Sequence, residues 1–187
     1  MKPATVVPTS EPSLDDVLTV AEIKAFARID QATENDILIA LRDSAARWIE
    51  DHCNTSIGDR NALAYLDHFH TATIPRGPVN SISQVEYLNN ANEWTVLSTN
   101  SYWYDIESER ARITFDDLPD VYDDAYHRVR ITLNYGYPEN QVPKPLVQAL
   151  RMLTLSFYEN RQEGITHGRV EQMPFGVYAL TNPYRIG

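Results

Sequence analysis

His68 and His70 stand two apart in a stretch of alternating character, so on a strand both rings would leave the same face and could share a metal ion. A metal site takes three or four ligands at supporting spacing, and the pair lacks a convincing third ligand nearby in sequence, so it reads as polar residues on a solvated strand face. Asp116, Asp117, Asp120, Asp123 and Asp124 crowd one short run and could coordinate a hard cation or act as paired carboxylates. They lack the ligand order and the sharp-turn glycine of an EF-hand, and a solvated loop accounts for them. His52 beside Cys53 makes neither a chelate nor a nucleophile and base, because adjacent helix residues point about 100° apart. Eleven Tyr and three Trp, with Arg110, Arg112, Arg128 and Arg130 among them, could stack single-stranded bases. The basic supply is modest, so core and interface packing is the better use, and the arginines are expected to pair with acids on a neighbouring subunit.

Phosphate-cradling loops of the GxxxxGK[ST] or GxGxxG type are absent, as are a GxSxG elbow and an HExxH zinc motif. No catalytic residue, metal ligand or cofactor is therefore assigned, and the chain is read as not an enzyme. Two other classes stay open at this point: a metal-dependent hydrolase built on His68, His70 and the aspartates, and a single-strand nucleic-acid-binding module built on the aromatic β region.

The elements that must carry these residues follow from pattern. Thr19 and Glu22 form a capping box for a helix over 19–30, with Leu18 and Ile23 placed as a hydrophobic staple. Thr33 with Asp36 opens a second helix over 34–53. Its apolar residues Ile37, Leu38, Leu41, Ala45, Trp48 and Ile49 recur at helical steps, and Ile39, Ala46 and Cys53 form a second stripe. Two stripes call for two partners: one the core, the other a neighbouring helix or subunit. The face of Ile39, Ala46, Ile49 and Cys53 is the candidate intersubunit surface. Period-two segments fill residues 62–136, the clearest being Val129, Ile131, Leu133 and Tyr135 alternating with polar neighbours, which predicts an antiparallel sheet with one wet face. Pro143 and Pro145 open a long helix over 143–161. Residues 1–16, rich in proline, are expected to form a flexible arm, and 162–187 a mobile loop followed by a docking tail.

One connector domain over 17–161 results: an α+β fold in which a helical bundle of two N-terminal helices and one long C-terminal helix carries an inserted antiparallel β subdomain and a C-terminal extension. At 187 residues the chain suits one such unit. Sixteen basic against 26 acidic residues, a net charge of -10, argue against a duplex-gripping surface but suit a wall past which DNA slides. One cysteine allows no internal disulfide and points to a reducing cytoplasm, and neither a membrane span nor a secretion signal is expected. The tail from Pro174 to Arg185 is aromatic and apolar, and wants a groove in its own subunit or another.

The run Leu18 to Asp30, the acid-capped helix ending Ala46-Arg47-Trp48-Ile49-Glu50, Ile74-Pro75-Arg76-Gly77-Pro78-Val79 with Val85-Glu86-Tyr87, the strand Val129 to Tyr137, Val142-Pro143-Lys144-Pro145-Leu146, Tyr158 to Arg161, and Pro174-Phe175-Gly176-Val177 with Pro183-Tyr184-Arg185 together resemble, in order, the head-tail connector (adaptor) proteins of tailed bacteriophages. The likeness spans about residues 18–186 and is nearest the longer members with a β insertion. The resemblance implies a structural virion protein of the neck, assembled in the host cytoplasm. It implies a homo-oligomeric ring, a dodecamer, beneath the portal protein. Such a ring extends the DNA channel, lets genomic DNA pass without specific binding, and offers a platform to a downstream neck, stopper or tail-completion protein. Phe175, Val177, Tyr178, Leu180, Tyr184 and Arg185 are then the candidate portal- or neighbour-docking residues. Deleting Pro174 to Gly187 is expected to leave the helical fold intact and abolish assembly onto the portal.

Overall fold

The structure, a computed structural model, describes residues 2–30, 32–107, 110–116, 118–122, 124–160 and 175–186. The fold is α+β and divides into a β unit, residues 1–12 and 59–137, and a helical unit, residues 13–58 and 138–185.

In the helical unit, α1 (Val20–Ala27) starts at the expected capping box. Thr19 Oγ1 accepts from the Glu22 amide at 3.2 Å, and the Glu22 carboxylate accepts from the Thr19 amide at 2.9 Å. Leu18 and Ile23 are fully buried beside it. The helix stops short of residue 30 because Arg28 turns left-handed (φ 56°), so that the Ile29 amide closes onto the Lys24 carbonyl at 3.0 Å. A 3-10 turn, Ala32–Glu34, leads into α2 (Asn35–Cys53). Thr33 lies inside that tight turn and does not cap. Glu34 takes the cap position without a side-chain bond, and its carboxylate instead accepts from the Tyr158 hydroxyl. The third helix, α3 (Lys144–Glu159), carries Pro145 in its first turn, where a proline loses no helical hydrogen bond, and buries Leu146, Ala149, Leu150, Leu153 and Thr154. The last, α4 (Phe175–Thr181), is followed by a 3-10 turn, Asn182–Tyr184. α1, α2 and α3 pack on one another, and α4 packs on both α2 and α3.

Two buried charges organise this unit. Arg42, 4 % exposed, donates to the Leu18 carbonyl at 3.0 Å and pairs with Asp15, fastening residues 15–18 to α2. Glu50, 3 % exposed, accepts from the Ile57 amide at 2.8 Å and the Ser56 hydroxyl at 3.2 Å, shaping the turn after α2. Removing either would strand polar groups away from water, which is why single charges here act as fasteners.

The β unit has two sheets. One runs β1 (Lys2–Pro3), β4 (Ala72–Thr73), β8 (Arg112–Phe115), β7 (Tyr102–Asp105). The other runs β2 (Thr5–Pro8), β3 (Arg60–Leu66), β9 (Val129–Tyr135), β5 (Val79–Leu88), β6 (Trp94–Val96). All pairings are antiparallel except β1 with β4. β9 is the central strand and buries Val129, Ile131, Leu133 and Tyr135, the alternation its sequence displays. These join Ala62, Ala64, Ile74, Val85, Ile113 and others from both sheets in one core.

Residues 2–16 are not a flexible arm. Lys2–Pro3 and Thr5–Pro8 pair into the two sheets, Ala4 is 4 % exposed, and Ser10 Oγ accepts from the Asn61 amide at 2.9 Å. Low apolar content misleads here because an edge strand is held by backbone ladder bonds, and Pro3 and Pro8 sit at strand ends, where a missing amide costs little.

Candidate interaction surfaces

His68 and His70 do not share a strand. Residues 67–70 bend away after β3; Arg128 Nη1 lies 2.7 Å from the His68 ring nitrogens, and His70 Nδ1 sits 2.8 Å from the His68 carbonyl. Among the described residues no group of three or more His, Cys, Asp and Glu is placed to hold a metal ion. Asp116, Asp120 and Asp124 are exposed; Asp117 and Asp123 lie outside the described residues.

The four arginines are also placed. Arg130 donates to both oxygens of Glu86, at 2.6 and 2.8 Å, and lies 4.4 Å over the Trp94 ring. The Glu86 carboxylate holds this guanidinium firmly charged. Arg130 is thus engaged within its own sheet and Arg128 with His68 of the same unit, while Arg110 and Arg112 are exposed.

The stripe expected to face another subunit is covered at home. Ala46 (2 %), Ile49 (0 %) and Cys53 (0 %) are buried, and Ile39 is half-buried. The second partner of α2 is α4, returned from the end of the chain: Cys53 Sγ donates to the Thr181 carbonyl at 3.5 Å. Burial pushes the Cys53 thiol up to about 11, the nearby Arg185 charge pulling slightly the other way. What α2 shows to solvent is Asn35, Asp36, Ile37, Ala40, Asp43, Ser44, Arg47 and Asp51.

The tail residues divide. Val177 and Thr181 are fully buried, so Val177 leaves the docking set. Phe175 is 86 % exposed and Tyr178 37 %; Arg185 is exposed, and Leu180 and Tyr184 are half-buried. The tail is fastened by an aromatic cluster in which Trp48 stacks on His52, centroids 5.0 Å apart, and Tyr178 meets both rings edge-on at 5.6 and 5.4 Å. His52 Nε2 and Asn182 Oδ1 lie 3.0 Å apart, and the backbone at Gly176 approaches so closely that a Cβ there would be 3.0 Å from Met152 Cε. Val177 and Thr181 are core residues where α4 packs on α2 and α3, so deleting Pro174 to Gly187 removes buried side chains as well as exposed ones. The loop expected over 162–172 lies outside the described residues.

Exposed apolar side chains on edge strands were missed from sequence: on the β unit Val96 is 60 % exposed, Trp103 54 % and Tyr104 44 % on β6 and β7, and Val7 45 % on β2. Tyr102 is buried, which raises its phenol above the usual range, the adjacent Tyr104 adding to the shift. The signal was present: Tyr102-Trp103-Tyr104 puts aromatic rings on both faces of one strand, a pattern that suits a strand with one side unpaired.

No protein-family model matches the chain, and a search of curated proteins finds no match. Among solved structures it is similar to a chain of the neck of an empty GTA particle computed with C6 symmetry, with TM-score 0.77 and 24 % identity over 97 % of this chain and 95 % of that one. It is similar to a chain of the virion of a native gene transfer agent (GTA) particle, with TM-score 0.76 and 22 % identity over 97 % and 95 %. It is also similar to a chain of the neck of a native GTA particle computed with C12 symmetry, with TM-score 0.73 and 22 % identity over 97 % and 94 %. At such identities the likeness establishes the shared fold across both units.

Proposed function

We propose that this chain is a structural protein of the neck of a phage-like particle: a head-tail adaptor, not an enzyme, whose copies form a ring under the portal and continue the DNA channel toward the next neck component. The observation that carries the reading is the fold likeness to chains of such necks over 97 % of this chain and 95 % of the other. Near-complete coverage on both sides matters, because a shared helical bundle alone would be common to many functions. Computation of those necks with C6 and C12 symmetry supports a closed ring, and a dodecamer in particular. The net charge of -10 suits a channel wall that DNA must leave without sticking.

The exposed tail residues Phe175, Tyr178 and Arg185, with the half-buried Leu180 and Tyr184, are the proposed portal contact. An apolar ring left almost wholly in water next to a well-anchored helix is a pre-ordered handle, and docking it costs little conformational entropy. Assembly takes place in the host cytoplasm and the mature location is the virion neck. The test is light scattering with negative-stain imaging of the purified protein, alone and mixed with the portal of its own particle. A ring coaxial with the portal is expected; a chain that forms no ring in either condition and stays off the portal overturns the reading.

A further inference from the structure

We propose that the ring closes by strand addition, with β7 of one copy lying edge to edge against β2 of the next. This rests on the ring reading above and names the contact that would build it.

Among the described residues the topology leaves four edge strands, β1 and β7 in one sheet and β2 and β6 in the other, of which β2 and β7 are the four-residue ones on opposite sides of the β unit. β7 ends one sheet and β2 begins the other. Ala4 alone links β1 to β2, so those two edges share one side, while the short link from β6 to β7 puts their edges together on the opposite side. The two sheets enclose one core. A contact between two different surfaces on opposite sides is the head-to-tail kind that propagates and, with the right rotation, closes a ring.

Hydrogen-bond parity identifies the open groups. In an antiparallel pair only alternate residues point their amide and carbonyl at the partner. The Asp116 amide donates to the Ser101 carbonyl in the β7–β8 register, so Trp103 and Asp105 face β8, and Tyr102 and Tyr104 turn their backbone groups to the open side. The Thr9 amide donates to the Asn61 carbonyl in the β2–β3 register, so Thr5 and Val7 face β3, and Val6 and the Pro8 carbonyl face outward. Antiparallel addition then sets Val6 opposite Tyr104 and Pro8 opposite Tyr102, both as hydrogen-bonded pairs, with the Pro8 carbonyl accepting from the Tyr102 amide.

The pleat agrees with that register. Val6 packs toward the core of its own unit, and Tyr104 lies on the same strand face as buried Tyr102, so both are inward residues. Val7 and Trp103, at 45 % and 54 % exposed, fall opposite each other on the outer face. Tyr104 is 44 % exposed despite pointing inward, which is what a residue overhanging the end of a sheet shows until the next strand covers it. Neither edge carries a lysine or an inward charge: β2 reads Thr-Val-Val-Pro and β7 Tyr-Trp-Tyr-Asp, and the outward Pro8, which has no amide to donate, still offers its carbonyl.

The decisive experiment uses full-length chains with Val7→Cys and Trp103→Cys, which the register places as a non-hydrogen-bonded pair with Cβ atoms about 4.5–5.5 Å apart. Cys53 is buried and stays silent. Rings assembled on the portal are oxidised and run without reductant. The double variant is expected to give a ladder of covalent oligomers, a mixture of the two single variants a dimer, and each single variant alone none. An intact ring in negative stain without the ladder, or self-linking of either single variant, overturns the strand pairing and leaves the ring reading standing. Failure of the unmodified chain to form any ring removes both. As a second probe, Val6→Pro deletes an open-edge amide that bonds nothing in β3. A fall in melting temperature no larger than that of Val6→Ala, with assembly at least about tenfold weaker than that of Val6→Ala, is expected, and assembly equal to that of Val6→Ala contradicts the proposal.

Discussion

The ring of Tyr178 stands edge-on to the indole of Trp48, centroids 5.6 Å apart and planes 75° to each other. That contact joins residues far apart in sequence and lays α4 against α2 within one chain. The tail's first partner is its own chain, and whatever it offers outward it offers from a fixed platform.

If this aromatic contact fastens the tail, Trp48→Ala and Tyr178→Ala should be coupled. A double-mutant cycle by urea denaturation is expected to give about 0.5–1.5 kcal/mol of interaction energy. Coupling indistinguishable from zero would mean that Val177 and Thr181 alone hold α4 in place.

Two neighbouring tail positions should behave oppositely. Phe175→Ser, at an 86 % exposed site, is expected to change stability by less than about 0.5 kcal/mol while weakening attachment to the portal. Val177→Ala, at a fully buried site, should cost about 1–3 kcal/mol through lost burial and the cavity it leaves. Denaturation curves beside co-sedimentation with portal read both quantities. A stable Phe175→Ser chain that still binds normally would contradict the docking assignment.

The capping box carries a pH signature. Hydrogen bonds from the Thr19 backbone and then its side chain hold the Glu22 carboxyl below its ordinary 4.5, burial opposing them and Arg151 assisting. A carboxyl whose folded pKa is depressed contributes stability above the unfolded value and loses it as the pH falls through the folded value. Wild type should therefore exceed Glu22→Gln at neutral pH by a few tenths to about 1 kcal/mol, the side chain being half in water, and the gap should close as pH drops below 4.5. A gap that widens on acidification would refute the assignment. Thr19→Ala should cost about 1 kcal/mol at neutral pH.

Cys53 is predicted to be inert while the fold persists. With its thiol raised to about 11 and its side chain sealed under Thr181, it is protonated and inaccessible at pH 8. Reaction with a chromogenic disulfide reagent should be on the order of a hundredfold slower in buffer than in denaturant. Rapid labelling of the native protein would show that α4 lifts off readily.

Local signals in the sequence reported on local structure. The Thr19 and Glu22 box, the alternating Val129 to Tyr135 and the proline-led start of α3 each depend on residues a few positions apart, and each is where its pattern placed it. Patterns that depended on distant partners misled. The stripe of Ala46, Ile49 and Cys53 announced a need for cover but could not say that residues beyond 174 would supply it. Thr33 had the chemistry of a cap, yet a 3-10 turn claimed it.

By itself, then, the chain determined its helices, its half-buried strands, its α+β class and its lack of standard catalytic motifs, because periodicity and capping are short-range consequences of 3.6- and 2-residue repeats. Only the tertiary structure decided that residues 2–8 are edge strands, that α2 is covered by α4, that Arg130 belongs to Glu86 and Trp94, and that Trp103 and Tyr104 stand on an open edge. Those outcomes depend on which segments meet across the chain, and backbone pairing at an edge leaves little trace in side-chain composition.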